Sequence, residues 1–206
     1  MPLDAPLLVD AVSGAALSAG GNIASIPLED LAGGTEHVLV VLLERDAGRV
    51  LLELPNALGW RLHFGCISSY DGSGGEDDAW GAAQLAAAAA LSDAGVAVHS
   101  GDAGLRPSGL MLFTFSGVDD APMRVRVLQG ALAAPPPAGV GVYYTVSDVP
   151  YDRMWQDDEI WLPNLLRDGG QGHFVFGGHF VFGGGPSGGS PLLDHNYDVT
   201  ARVPSA

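Results

Sequence analysis

The sequence predicts an α+β protein with a mixed or antiparallel sheet. Short runs of β-branched and aromatic residues, separated by Gly, Pro and Asp, recur along most of the 206-residue chain. One alanine-rich segment at residues 79–94 and one shorter segment after Trp155 have the composition of helices. Many strands with one helix in each half of the chain are typical of the α+β class.

Composition predicts a folded chain with a substantial core. Hydrophobic residues make up 47% of the sequence and charged residues only 16%, which excludes an intrinsically disordered protein. Residues 1–34 mix apolar stretches with Gly and Ser and end in LAGG, so they are expected to form a loosely attached N-terminal extension. The remaining residues, 35–206, are expected to form one domain.

The first predicted strands form a hairpin. HVLVVLLE at residues 37–44 and VLLEL at 50–54 flank an Asp-Ala-Gly turn. WRLHFGC at residues 60–66 is a further candidate strand. The segment that follows, SSYDGSGGEDD at 68–78, is rich in Gly, Ser and Asp, which favours a loop.

The alanine-rich helix at residues 79–94 has termini typical of helices. Acidic residues stand just before it, where the helix dipole favours negative charge, and Gly95 stands just after it. Two antiparallel strands are predicted next, LMLFTFSG at 110–117 and MRVRVLQGAL at 123–132. VGVYYTVSDV at 140–149 predicts one more strand.

The C-terminal part combines a short helix with a duplicated segment. EIWLPNLLRDGG at residues 159–170 predicts a helix that ends at its glycines. HFVFGG occurs at residues 173–178 and again at 179–184, and its alternating phenylalanines are typical of one face of a strand.

The charge balance argues against polyanionic partners. The chain has nine arginines, no lysine and 24 acidic residues, which give a formal net charge of -15. Neither nonspecific binding to nucleic acid nor binding to an anionic membrane is expected, because both depend on basic patches. A small anionic ligand would need local arginines or a metal to offset this charge.

Cysteine content and the N-terminal residues predict a cytoplasmic or otherwise intracellular protein. Cys66 is the only cysteine, so no intramolecular disulfide can form. The first residues carry acids where a signal or transit peptide has Arg or Lys, and no apolar run reaches the roughly 18 to 20 residues of a membrane helix.

The stretch MWQDDEIWLP at residues 154–163 is the most informative for function. It places Asp157 and Asp158 between two of the four tryptophans of the chain. A carboxylate pair matches the adjacent N–H donors on the edge of a guanine-like purine, and a tryptophan adds stacking of about 1–3 kcal/mol per base. Alternatively, the two aspartates cap the helix that carries Trp161, which is a common role for Asp.

Three segments carry a resemblance to a known family: PYDRMWQDDEIWLPNLL, GHFVF and LLDHNYDVTARV. Together they resemble the C-terminal part of the animal MutT homologues of the Nudix superfamily, which hydrolyse oxidised purine nucleoside triphosphates such as 8-oxo-dGTP. The resemblance extends over roughly residues 36–203. It implies an α/β/α sandwich, with a mixed sheet between the helix at 79–94 and the helix after Trp155.

The resemblance also implies roles for individual residues. Trp155 would stack on the base, Asp157 and Asp158 would read its edge, and Phe64 and Met154 would complete the pocket. Arg61 stands where the family has a base-contacting Asn.

The family's catalytic signature is degenerate in this chain. In the family, glutamates of the signature hold Mg²⁺ against the diphosphate of the substrate. Counting back from Gly95, the R-E-U-x-E-E positions, where U is an aliphatic residue, fall on residues 88–93, of which only Asp93 has a carboxylate. The chain is therefore expected to recognise an oxidised or modified purine nucleotide, with hydrolysis lost or severely weakened.

Two further interpretations stay open. An active Mg²⁺-dependent pyrophosphohydrolase would need relocated metal ligands, for which Glu76, Asp77 and Asp78 together with Asp93 are the candidates; the first three also suit a helix N-terminus. A pseudoenzyme that binds a protein partner would be indicated by exposed apolar side chains on the duplicated HFVF segments.

Overall fold

The chain folds around one large mixed sheet. The structure is a computed structural model that describes residues 8–9, 16–17, 34–44, 47–55, 63–70, 76–101, 104–116, 123–167, 174–183 and 191–202. Arg61 and the first residues of the strand predicted at 60–66 lie outside the described residues, as do His173 and the glycines at 169–170.

Ten strands and two helices are described. The strands are β1 Leu8–Val9, β2 Ala16–Leu17, β3 Gly34–Glu44, β4 Arg49–Glu53, β5 Phe64–Tyr70, β6 Arg106–Ser116, β7 Met123–Ala131, β8 Gly141–Thr145, β9 Phe174–Gly183 and β10 Leu192–Arg202. The helices are α1 Glu76–Asp93 and α2 Asp158–Leu166, and two short 3₁₀ turns lie at Val146–Asp148 and Tyr151–Arg153.

The main sheet has eight strands in the order β10-β9-β6-β7-β3-β4-β8, with β5 paired to β3 beside β4. β3 pairs with β7, and β6 with β9, in parallel, whereas the other pairs are antiparallel. The predicted mixed sheet and both predicted antiparallel pairs, β3 with β4 and β6 with β7, are confirmed.

The sheet lies between the two helices. Successive side chains of a strand point to opposite faces, so Val40 and Leu42 of β3 pack towards α1, whereas Val41 and Leu43 join the core on the α2 side. On the α1 side the helix contributes Trp80, Ala83, Ala87 and Leu91, and on the α2 side the core contains Trp161 and the phenylalanines Phe176, Phe180 and Phe182 of β9. The predicted α/β/α sandwich is confirmed.

The predicted helices form with small changes at their ends. Helix α1 begins at Glu76, before the predicted start at residue 79, and Gly95 follows it with φ +71, a conformation that favours glycine. Helix α2 begins at Asp158 and ends at Leu166. In the described parts of the chain, neither helix is long and apolar enough to cross a membrane.

Two predicted boundaries are wrong. Ser68–Tyr70 was expected in a loop but belongs to β5, because β3 extends back to Gly34 and offers these residues a partner. The strand expected at 140–149 ends at Thr145, since its partner β4 begins at Arg49 opposite that residue and provides no ladder beyond it.

The duplicated HFVFGG segment forms one continuous strand, β9. Because its repeat period is even, corresponding residues of the two copies lie on the same face of the strand. Phe176, Phe180 and Phe182 are all buried in the core on the α2 side. These three side chains therefore do not form the exposed apolar surface that the protein-partner interpretation expected.

The N-terminal residues are described only in part. β1 and β2 pair with each other in an antiparallel ribbon. The other residues up to 33 lie outside the described part of the chain, so the division into an extension at 1–34 and a domain at 35–206 stays a prediction.

Gly109 of β6 provides space for an aromatic ring that supports the α2 side. A Cβ at this position would overlap the ring of Phe176, the neighbouring residue on β9, and Phe176 stacks on Trp161 with ring centroids 5.5 Å apart. We expect Gly109→Ala to lower the free energy of unfolding by about 1–3 kcal/mol, the usual cost of overpacking a core. Urea unfolding monitored by tryptophan fluorescence measures this change.

Gly81 provides the matched control. It lies in α1, and a Cβ there would have no heavy atom within 4 Å. Gly81→Ala should raise the free energy of unfolding by about 0.5–1 kcal/mol, because alanine loses less backbone entropy in a helix. Equal effects of the two substitutions would contradict the packing described for Gly109.

Candidate functional site

A cavity of about 350 Å³ opens beside β3 and β5 and is bounded by the segment that leads into α2. It is lined by His37, Val38, Leu39, His63, Gly65, Cys66, Ile67, Phe113, Met123, Val125, Trp155, Asp157 and Asp158. This cavity is called the base pocket below. Its walls are mainly apolar, with a few convergent polar groups, which is the usual composition of a small-molecule site.

Trp155 forms an aromatic wall of the base pocket. Three phenylalanine rings surround the indole in T-shaped arrangements. The Trp155 centroid lies 5.2 Å from that of Phe182, 6.2 Å from that of Phe113 and 6.4 Å from that of Phe115. Such contacts are favourable for aromatic pairs and fix the orientation of the indole. A rigid indole at the wall of a cavity is suited to stacking on a flat ring.

Asp157 is a buried pocket residue and does not cap α2. The residue is 3% exposed, its backbone is in the right-handed helical region, and its side chain makes no capping hydrogen bond. Instead, Trp161 Nε1 donates a hydrogen bond of 3.0 Å to Asp157 Oδ2. The capping alternative is therefore wrong for Asp157.

Asp158 contacts His63, the residue that precedes β5. His63 Nε2 lies 3.1 Å from Asp158 Oδ1, and the side chains are only 2% and 7% exposed. The His63 ring also packs against the ring of Trp161, with centroids 5.4 Å apart. Asp157 and Asp158 thus each have one hydrogen-bond partner. Trp161 donates to Asp157 and also packs against His63, the partner of Asp158.

The two carboxyl groups cannot both ionise at low cost. Burial raises the pKa of Asp157 well above its ordinary value, the negative charge of Asp158 raises it further, and the Trp161 hydrogen bond opposes both effects only in part. We infer that Asp157 keeps its proton where an exposed aspartate has lost it.

Tyr151 packs at the margin of the core on the α2 side. Burial, followed by the charges of Asp158 and Glu159, raises the pKa of Tyr151 to about 12.

Two polar atoms of the pocket residues have no hydrogen-bond partner among the described residues. They are Asp157 Oδ1 and His63 Nδ1, and both are fully buried. A buried polar atom without a partner costs about 1–3 kcal/mol. Because both residues line the base pocket, a ligand with complementary groups would remove that cost.

Two predicted pocket residues lie elsewhere. Phe64 contributes to the core on the α1 side with Trp80, because it pairs with Val40 of β3 and shares the face of that residue. Met154 is 1% exposed and packs in the core on the α2 side, and it is not among the residues that line the base pocket. Of the five predicted pocket residues, only Trp155, Asp157 and Asp158 are among the residues that line the base pocket.

Neither His63 nor the apolar walls of the pocket were predicted from the sequence. His63 lies 95 residues from its partner Asp158, and a single histidine before Phe64 has no local pattern that marks it. Leu39, Phe113 and Val125 were predicted as strand residues, and their role as walls depends on which strands become neighbours. Only the spatial pairing of β3, β5, β6 and β7 brings these residues together.

A second cavity of about 280 Å³ lies between the sheet and the C-terminal half of α1. It is called the helix cavity below and is lined by Val40, Glu53, Phe64, Gly65, Cys66, Ala87, Ala90, Leu91, Ala94 and Val140. Glu53 is its single carboxyl group, and burial raises the pKa of Glu53, with His63 opposing the effect.

The predicted metal ligands are not brought together. Asp77 and Asp78 are exposed in the first turn of α1, and Asp93 is exposed at its last residue. Sixteen residues of helix separate Asp77 from Asp93, which is about 24 Å at 1.5 Å per residue. Glu76 begins the same first turn, so these four residues cannot surround one ion.

The helix cavity does not fit Mg²⁺ either. This ion requires several oxygen ligands in octahedral geometry. Glu53 is the single carboxylate of the cavity, and the alanine side chains that line it have no oxygen. Within the described ranges, no group of three or more His, Cys, Asp or Glu residues is placed to hold a metal.

Comparison with known proteins supports the fold. The crystal structure of a Mutator MutT protein from Bacillus halodurans matches with a TM-score of 0.53 and 13% sequence identity, over 80% of this chain and 97% of that one. No protein-family model and no curated protein matches the sequence. The likeness establishes that the chain has the Nudix, or MutT, type of fold.

The raised pKa of Asp157 predicts a pH dependence of stability. Between the ordinary pKa of 3.8 and the higher folded value, the folded state holds a proton that the unfolded chain has released. Stability must therefore fall as the pH rises through this window. In Asp157→Asn this component is absent, so its urea midpoint should fall less between about pH 5 and 8 than that of the parent.

Asp152→Asn is the matched control, because the Asp152 side chain is 81% exposed. It should show the same pH dependence as the parent chain. Parallel midpoint curves for the parent and Asp157→Asn would mean that Asp157 does not keep its proton in this pH range.

Proposed function

We propose that the chain recognises an oxidised or modified purine nucleotide in the base pocket, and that the hydrolytic activity of the resembled family is lost or severely weakened. One observation carries the proposal: two adjacent aspartates are buried in the wall of a cavity beside Trp155, and one of their oxygens has no partner among the described residues.

The hydrogen-bonding groups of the pocket suit a guanine-like edge. Protonated Asp157 can donate through Oδ1, and Asp158 can accept through the oxygen that His63 does not occupy. A guanine-like base offers two adjacent N–H donors beside a carbonyl oxygen, so the two patterns are complementary.

The dimensions of the pocket support a ligand of about this size. A volume near 350 Å³ is at the lower end of the range of about 300–1,000 Å³ for small-molecule sites. Trp155 at the wall would stack on the flat face of the base, which is worth about 1–3 kcal/mol.

Replacement of the family's catalytic residues supports the loss of hydrolysis. Alanines of α1 line the helix cavity, and Asp93 alone retains a carboxylate in the catalytic signature. A single exposed carboxylate would leave Mg²⁺ mostly hydrated and free to leave. The base pocket depends on other elements and is unaffected by these replacements.

Calorimetry with 8-oxo-dGMP in metal-free buffer tests recognition separately from hydrolysis. We expect a micromolar or tighter dissociation constant for the parent chain. Asp157→Ala should weaken binding at least about tenfold, because it removes the donor and leaves the base edge unmatched. Exposed Asp152 provides the control, and Asp152→Asn should bind like the parent.

Lack of binding at millimolar 8-oxo-dGMP would refute the proposal. Equal binding by the parent and Asp157→Ala would show that the ligand occupies another part of the molecule.

The affinity should also depend on pH. As the pH rises and Asp157 loses its proton, the pocket loses a donor and gains a negative charge, so binding should weaken. Titrations of 8-oxo-dGMP between about pH 5 and 9 measure this effect. Asp157→Asn keeps a donor at all pH values, so it separates the titration of Asp157 from that of the ligand. An equal change of affinity with pH in the parent and in Asp157→Asn would count against a proton on Asp157.

A further inference from the structure

We infer that His63 is a specificity-determining residue of the base pocket, and that its Nδ1 accepts a hydrogen bond from the exocyclic 2-amino group of the purine. The ligand is then a 2-amino-6-oxopurine of the guanine type. A purine of the hypoxanthine type, which lacks this amino group, binds more weakly. The inference rests on the proposed function and names the part of the base that the pocket distinguishes.

Only one of the two ring nitrogens of His63 has a hydrogen-bond partner. His63 lines the base pocket, its side chain is 2% exposed, and its Nε2 lies 3.1 Å from Asp158 Oδ1. The other nitrogen, Nδ1, is fully buried and has no hydrogen-bond partner among the described residues. A buried polar atom without a partner is costly, so a ligand that supplies one gains affinity.

The contact of Nε2 determines what Nδ1 can do. In an uncharged imidazole one ring nitrogen carries the hydrogen and donates, whereas the other has a lone pair and accepts. The hydrogen is assigned to Nε2, because Asp158 Oδ1 lies within hydrogen-bond distance and can accept it. Nδ1 is then an acceptor, and the ligand group that matches it is an N–H donor.

The neighbours of His63 fix the orientation of its ring. Trp161 packs against the imidazole with ring centroids 5.4 Å apart, and Trp161 Nε1 donates to Asp157 Oδ2. His63, Asp157 and Asp158 are therefore held in one connected cluster before a ligand enters. Groups that are positioned in advance lose little freedom on binding, which favours their use in recognition.

The order of the three polar groups matches the order of groups on a guanine edge. Asp158 connects the other two, because it follows Asp157 in the chain and contacts His63. On the base, N1–H lies between the carbonyl oxygen at C6 and the 2-amino group, and oxidation at C8 leaves this edge unchanged. Asp157 can donate to the carbonyl, Asp158 can accept from N1–H, and His63 Nδ1 can accept from the amino group.

Calorimetry in metal-free buffer with 8-oxo-dGMP and 8-oxo-dIMP tests this assignment. The two compounds differ only in the 2-amino group, which 8-oxo-dIMP lacks. The parent chain should bind 8-oxo-dGMP at least about tenfold more tightly, because 8-oxo-dIMP leaves Nδ1 buried without a partner.

Two substitutions of His63 separate contact with the base from support of Asp158. His63→Asn places an amide near the position of Nδ1, and its oxygen can accept from the amino group, so the preference for 8-oxo-dGMP should be retained. His63→Gln places its amide near the position of Nε2, so it keeps a partner for Asp158 but should bind the two compounds equally. The reverse result would assign His63 a purely supporting role and overturn the inference.

An exposed histidine outside the pocket provides the matched control. His99 is exposed and does not line the base pocket, so His99→Asn should show the same preference as the parent chain. The ratio of the two affinities is measured within each protein, so a general loss of stability in a His63 variant does not change it.

Nitrogen NMR of the ¹⁵N-histidine-labelled parent chain tests the same contact without a substitution in the pocket. The Nδ1 resonance of His63 should shift when 8-oxo-dGMP is added, because its lone pair then accepts a hydrogen bond, and it should shift much less with 8-oxo-dIMP. An Nδ1 resonance that stays unchanged at saturating 8-oxo-dGMP would overturn the inference.

The outcomes separate this inference from the proposed function. Equal affinities of the parent chain for 8-oxo-dGMP and 8-oxo-dIMP would overturn the inference and leave purine recognition intact. Failure of both compounds to bind would refute both.

Discussion

Strand β3 is the constraint on which the rest of the structure depends. It pairs with β7 along one edge and with β4 and β5 along the other, so it joins both halves of the sheet. Its alternating side chains enter both cores, with Val40 towards α1 and Val41 towards the α2 side. A slip by one residue would exchange these faces. The register of β3 also positions the pocket, because residues 37–39 form part of its wall.

The chemistry of the base pocket follows from removing two adjacent carboxyl groups from water. Desolvation, followed by repulsion from Asp158, raises the pKa of Asp157, and Trp161 and His63 each contact one oxygen of the pair. If every oxygen of the two aspartates had a hydrogen-bond partner within the protein, the pair would have only a structural role. Here Asp157 lines a cavity and its Oδ1 has no hydrogen-bond partner among the described residues, and the proposed function rests on this unpaired atom.

The pocket and the alanine-rich helix lie on opposite sides of the sandwich. The pocket acids belong to the segment that enters α2, whereas residues 88–93, compared above with the catalytic signature, lie on α1 across the sheet. Alanine at buried positions of α1 lets that helix pack closely against β3 and β5, and it also removes the oxygen ligands that a metal would need. The proposed recognition of a base does not depend on the α1 residues, because the pocket acids lie on the other face of the sheet.

The sequence by itself determined the α+β class, both helices and most strands, since alternation, alanine content and Gly95 act locally. It also singled out Trp155, Asp157 and Asp158, because an acid pair between tryptophans is unusual in any fold. Only the tertiary structure decided that Phe64 faces α1, that β5 extends to Tyr70 and that His63 binds Asp158. Each of these outcomes depends on a partner distant in the chain, because strand pairing and burial set the register and no local window contains that information.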